Sequence, residues 1–276
     1  MTQYYDQLQE AKQELQRRIG SFKPKIAIIL GSGLGGFADE ATNRIYVPYD
    51  ELPHFPISTV AGHAGQFVVG ELEGQQVLLM QGRFHAYEGY SLKQVVFPIY
   101  VMKMLGVELL ILTNAAGGLN RSFMPGDLML INDHINFTGD NPLIGPNEPE
   151  LGERFPDMSQ AYDRYLIGLA RSWSIATGRR LVEGVYCGIR GPSYMTPAEL
   201  TWLAKVGGDA IGMSTVAETI AARHAGLRVL GISCITDMAI GETLEPLSHA
   251  QVVAVAKETQ PKFIELLRHL VHGVEI

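Results

Sequence analysis

Cysteine is scarce in this chain. Only Cys187 and Cys234 occur among 276 residues, far apart and without the spacing of a metal or redox pair. A disulfide framework is therefore excluded, and both read as small buried apolar residues in a reducing compartment. Basic clusters are missing too. The chain has 22 Lys and Arg against 29 Asp and Glu, a net charge of −7, which argues against nucleic acid as a partner but leaves one or two arginines free to hold a small anion. No run of 18 apolar residues exists, and the first 19 positions are studded with Gln, Glu, Lys and Arg where a signal segment needs an apolar core. The expectation is a cytoplasmic protein with no membrane span. The histidines lack the short spacings of zinc ligands and the acids lack a calcium-loop register, so no metal is expected.

What is there suits a large core: 46% of the residues are hydrophobic, and a single domain over 1–276 is the simplest reading. Tyr5, Leu8, Leu15 and Ile19 recur at helical spacing and predict an amphipathic helix over 4–19. The solid run Ile26 to Leu30 reads as a strand covered on both faces. Further strands are expected at Phe67–Gly70, Val77–Met80, Leu109–Thr113, Asp127–Ile131 and Arg228–Ile235. Helices are expected at Leu92–Leu105, Ala161–Thr177, Pro197–Val206, Val216–Ala225 and His249–Leu270. Thr196-Pro197-Ala198-Glu199 and Thr215-Val216-Ala217-Glu218 are capping boxes that start two of them. Buried strands alternating with helices predict a three-layer α/β sandwich, a twisted mixed and mostly parallel sheet flanked by helices. The Pro-, Gly- and Asn-rich stretch 136–157 reads as a site or interface loop.

Five segments can carry chemistry. Gly31-Ser32-Gly33-Leu34-Gly35-Gly36 follows a buried strand and satisfies G-x-G-x-x-G, but no long apolar-striped helix follows and no Gly-Lys-Ser/Thr is present. It can cradle one phosphate on backbone N–H groups, form a structural turn, or bind a dinucleotide. Gly82-Arg83-Phe84-His85-Ala86-Tyr87-Glu88-Gly89 packs an arginine fork and an imidazole between two glycines. Arg83 and His85 can grip an oxyanion, with Glu88 fixing the tautomer of His85; the alternative is a solvated turn. Asn114, Ala115 and Ala116 end another buried strand, where ligands of open α/β sheets sit. Ser214 stands at a helix start, a place with unpaired N–H groups. Asp237 ends a further strand and either reads a ligand edge or caps a turn. G-x-S-x-G is absent, which disfavours a serine hydrolase.

In this order, GSGLG, GRFHAYEG, TNAAGG, INDHIN, NPLIGPN, GERFPDMS, GPSY and GMSTVAE resemble the trimeric purine nucleoside phosphorylase family, which includes the methylthioadenosine phosphorylases. The likeness spans roughly Lys23 to Leu270. It implies a phosphorylase/hydrolase-like fold and phosphorolysis of purine nucleosides, with inorganic phosphate as co-substrate and no cofactor. Ser32, His63, Arg83, His85, Ala115 and Ser214 resemble the phosphate pocket, steadied by Glu88. Tyr87, Met213 and His249 resemble the sugar site, and Phe155 the aromatic that closes a neighbouring subunit's sugar pocket in a homotrimer. Ala116, Tyr186, Tyr194, Met195 and Asp237 fall around the base, with Asn114 and Asp237 in range of the departing purine. A methylthioadenosine phosphorylase, a nucleoside hydrolase and a non-catalytic nucleoside-binding protein are the rival readings. One departure stands out. Enzymes of this family acting on 6-oxopurines have a glutamate and an asparagine where this chain has Met195 and Asp237, so a preference for 6-aminopurines is expected of an ionised Asp237, the alternative being a protonated Asp237 that donates to N7 or O6 and keeps specificity broad.

Overall fold

A computed structural model describes residues 2–60 and 62–276. Helix α1 (Gln3–Ile19) buries Leu8, Ala11, Leu15 and Ile19, one stripe three to four residues apart. Strand β1 (Ile26–Leu30) is buried at every position, as a strand in the middle of a covered sheet must be. Then come β2 (Thr42–Pro48), β3 (Gln66–Leu72) and β4 (Gln75–Gln81). Glu73 and Gly74 join β3 to β4, both at positive φ, as a two-residue hairpin turn requires. The helical segment after them is broken in two, α2 (Leu92–Val95) and α3 (Phe97–Met104). The expectation of one helix there fails because Pro98 has no N–H to continue the ladder.

Strands β5 (Leu109–Gly118) and β6 (Leu128–Asn136) follow, then the irregular stretch and α4 (Arg164–Thr177). Helix α4 starts later than expected because the Asp163 carboxylate accepts from Leu166 N at 3.0 Å and caps it. The chain continues through β7 (Leu181–Gly188), α5 (Pro197–Lys205), β8 (Ala210–Gly212), α6 (Val216–His224), β9 (Arg228–Met238) and α7 (His249–Gly273). Three of these strands, β2, β7 and β8, fall outside the sequence expectation. β2 is a largely exposed edge, β7 is interrupted by Glu183 and Gly184, and β8 has only three residues.

Among the described residues nine strands form one mixed sheet in the order β2-β3-β4-β1-β5-β8-β7-β6-β9. The pairs β1–β4, β1–β5, β5–β9, β6–β7 and β7–β8 are parallel, and the rest antiparallel. β9 also pairs with β5, so the second half of the sheet curls into a closed ring. Helices α1, α3 and α6 pack together, as do α4 and α7, and the two groups flank the sheet. A smaller apolar cluster of Leu119, Cys187, Ile189, Leu200, Leu203, Ile211 and Ala239 lies under α5. Among the described residues no helix is long and apolar enough to cross a membrane.

Candidate active site

The ends of β1, β4, β5, β8 and β9 deliver their polar residues to one cavity of about 340 Å³, walled by Ser32, Arg83, His85, Asn114, Ser214 and Asp237 among others. This is the strand-end position at which ligands of α/β sheets bind. At one end Arg83, 2% exposed, is held on three sides. Its Nε donates to Glu218 at 2.9 Å, and its Nη1 donates to the Thr113 carbonyl at 2.7 Å and to Ser214 Oγ at 3.3 Å. Nη2 is buried and finds no acceptor among the described residues. A buried guanidinium nitrogen without a partner is costly unless a ligand completes it.

His85 stands beside it. Glu88 accepts from the His85 backbone N at 2.8 Å and from Nδ1 at 3.0 Å, and also from Thr59 N and Oγ1 at 2.8 and 2.7 Å. Burial alone would raise the Glu88 carboxyl, but the hydrogen bonds from His85 and Thr59 outweigh it and bring its pKa to about 2. A permanent carboxylate at Nδ1 keeps a proton there and leaves Nε2 as the other face of the ring. Tyr87 stacks on that imidazole, centroids 4.6 Å apart, and its phenol is pushed up to about 12, first by burial and then by Glu88.

His63 and Glu88 are not cavity walls; they stand behind Ser32 and His85. The His63 pKa falls to about 4 because of burial and then the charges of His85 and Arg83, so the ring is neutral at pH 7. Its Nδ1 lies 3.3 Å from Arg83 N and 3.4 Å from the Arg83 carbonyl oxygen, and its Nε2 lies 3.4 Å from Ser32 Oγ.

At the other end, Asp237 accepts from the Thr236 hydroxyl at 2.9 Å. Burial raises its carboxyl above the ordinary range, and the Thr236 bond only partly opposes this. Tyr194 and Met195 line the same cavity, with Met213 and His249. Asn114 donates through Nδ2 to Thr215 Oγ1 at 2.8 Å, and its buried Oδ1 has no partner among the described residues.

One expected position differs. Tyr186 is wholly buried beneath β8 and does not wall the cavity: its hydroxyl lies 3.5 Å from Ser214 N, because β7 places it on the inner face of the ring. Phe155 is 86% exposed and lies outside this chain's cavity. The motifs also miss part of the wall. Ile189, Leu200, Ile211 and Ala239 form its apolar side, and Leu244 to Leu247 run across it into His249. The capping signal at Ser248 marks the end of that segment, but nothing in LEPL itself announces a site. Among the described residues no three His, Cys, Asp or Glu side chains gather as metal ligands do.

A family model described as the phosphorylase superfamily matches residues 25–272. Purine nucleoside phosphorylase 1 of Geobacillus stearothermophilus is 54% identical over 97% of this chain and 97% of its own. Purine nucleoside phosphorylase of Mus musculus is 48% identical over 96% and 94%. The chain belongs to the purine nucleoside phosphorylase family. Among solved structures, isoform 2 of the purine nucleoside phosphorylase of Schistosoma mansoni, in complex with cytosine and ribose-1-phosphate, superposes with a TM-score of 0.94, 42% identity and coverage of 99% and 98%. A Schistosoma mansoni purine nucleoside phosphorylase in complex with adenosine gives a TM-score of 0.93, 40% identity and 98% coverage of both chains. This chain is thus an enzyme of the purine nucleoside phosphorylase family, with that family's α/β fold.

Proposed function

We propose that this enzyme splits purine ribonucleosides and 2′-deoxyribonucleosides with inorganic phosphate, in cytoplasmic purine salvage, and prefers 6-aminopurines such as adenosine. The observation that carries the reading is the polarity of the cavity. Arg83 Nη2, buried and unpartnered among the described residues, stands at one end, and a carboxyl with a raised pKa stands at the Asp237 end. Phosphate bound by Ser32, Arg83, His85, Ser214 and the Ala115 backbone sits below the anomeric carbon, while Tyr87, Met213 and His249 hold the sugar. As the glycosidic bond stretches, the phosphate stabilises the developing positive sugar. Direct attack from the opposite face releases the free base and (2-deoxy)ribose 1-phosphate. No step calls for a cofactor. We further read the assembly as a homotrimer in which Phe155, exposed on the single chain, closes the sugar pocket of a neighbour.

Base preference follows from the Met195–Asp237 pair. A neutral Asp237 donates O–H to purine N7 and accepts from the 6-amino group through its carbonyl oxygen; an ionised Asp237 accepts from that amine. Neither form offers an acceptor to N1–H of a 6-oxopurine, and the Met195 thioether is too weak to do so. A mismatched buried partner costs about 1–3 kcal/mol, or about 5- to 150-fold in kcat/KM. A Schistosoma mansoni purine nucleoside phosphorylase has been seen with adenosine and with inosine. The test is kcat/KM for adenosine, inosine and guanosine in wild type, M195E and D237N, with and without phosphate. Wild type should favour adenosine and the variants should shift toward inosine. A wild type that strongly favours inosine, with no shift in D237N, refutes the base assignment. Base release independent of phosphate refutes phosphorolysis.

A further inference from the structure

Glu218 does not itself line the cavity, yet it is 2% exposed and both of its oxygens are engaged at the cavity's phosphate end. Oε1 accepts from Arg83 Nε at 2.9 Å, and Oε2 accepts from Thr215 N at 2.5 Å. Thr215 has φ of 75°, a left-handed conformation that a β-branched residue adopts only when its surroundings impose it. The carboxylate supplies that imposition, since the turn aims the Thr215 N–H at Oε2. The same turn presents the preceding Ser214, whose Oγ receives Arg83 Nη1 at 3.3 Å.

The geometry points to Glu218 as a positioning residue for phosphate. One carboxylate locks the guanidinium through Nε, so that Nη2 is left without a protein partner, and locks the turn that carries Ser214. The inference rests on the assignment of Arg83 to phosphate. A helix cap alone needs only the Thr215 bond; the second bond, to an arginine 135 positions away in sequence, is surplus to that role. The ion pair also leaves the pocket close to neutral before phosphate enters, so affinity comes from aimed donors rather than from a bare positive charge. Gln cannot substitute, because its amide NH2 has to face either Arg83 Nε–H or Thr215 N–H, a donor against a donor.

The experiment is steady-state phosphorolysis in wild type, E218Q, R83Q and the double variant. Phosphate is varied at saturating nucleoside and nucleoside at saturating phosphate, and nucleoside binding without phosphate is measured by calorimetry. E218Q should raise the phosphate KM about tenfold, the loss of one charged hydrogen bond, with arsenate following in parallel. Nucleoside affinity without phosphate should stay within about twofold. In the double variant the effects should be less than multiplicative, because both act through one guanidinium. A phosphate KM within about twofold of wild type in E218Q, equal losses toward both substrates, or full multiplicativity would each overturn the inference. If E218Q does not fold, E218D decides by the same measurements, since its carboxylate is one methylene short of Arg83: a raised phosphate KM supports the role and an unchanged one ends it. R83Q with normal phosphate dependence would instead sink the role of Arg83 itself.

Discussion

Replacing Glu88 with Gln tests the part of the site on which the most hydrogen bonds converge. Four donors meet its carboxylate, two from His85 and two from Thr59, at 2.7 to 3.0 Å. Gln keeps one acceptor oxygen. Its amide NH2 then faces either the Thr59 pair or the His85 pair, and His85 loses the anion that holds its proton on Nδ1. With one or two charged hydrogen bonds lost, kcat/KM for phosphate should fall about 10- to 100-fold. Stability responds as well. The Glu88 pKa is depressed from 4.5 to about 2 in the folded chain, a contribution of about 1–3 kcal/mol after allowance for solvent screening. A depressed carboxyl stabilises above its unfolded pKa, and that stability is lost as pH falls toward the folded value. The gap in unfolding free energy between wild type and E88Q should therefore be full at pH 7 and shrink below about pH 4.5. Denaturant titrations across this range, with phosphate kinetics at pH 7, provide the readout. A gap that is flat with pH, or an E88Q enzyme with wild-type phosphate kinetics, refutes the reasoning.

Two further outcomes are expected. Light scattering should give the mass of a homotrimer, and Phe155→Ala should raise the nucleoside KM without changing that mass; a fully active monomer would remove the shared-site reading. His249 lines the cavity, and a donor buried against a methylthio group would be left unpaired at a cost of about 1–3 kcal/mol, so adenosine should exceed 5′-methylthioadenosine in kcat/KM, and the reverse ranking contradicts this placement of His249.

The strand ends were legible because their chemistry is local. IAIIL reads as a covered strand, and the glycines around Arg83 and His85 mark a turn whose side chains can share a direction. Thr196 and Glu199 close their capping box as the spacing predicts, with the Thr196 backbone N at 2.8 Å from the Glu199 carboxylate. What escaped notice depends on distant partners. β8 exists as a strand only because β5 and β7 lie on either side of it, and three residues carry no period of their own. The curl that joins β9 back to β5 turns Tyr186 inward, away from the cavity. No pattern within YCGIRGPSY reports that curl. Glu218 was visible as a helix cap, but its second bond, to Arg83, is tertiary.

In the proposed reading Asp237 joins specificity to rate, and pH separates the two. Its carboxyl is raised chiefly by burial, so its neutral form persists to higher pH than that of an ordinary aspartic acid. Oδ1 already accepts from Thr236. Oδ2 faces Gly117, where an added Cβ would lie only 3.1 Å away, so glycine there keeps this oxygen clear. A proton on Oδ2 can pass to N7 as the purine leaves with negative charge, a service an asparagine amide gives only as a hydrogen bond. The sign is then determined. Activity on adenosine should decline as pH rises through the raised Asp237 pKa, because the proton that neutralises the leaving base is lost. Phosphate titrates alike in both assays, so only the difference between the pH profiles of wild type and D237N reports Asp237. D237N should have a lower maximum and lack the Asp237 component of the alkaline decline. Parallel profiles of kcat/KM for adenosine in the two proteins would show that Asp237 only accepts from the 6-amino group and transfers no proton.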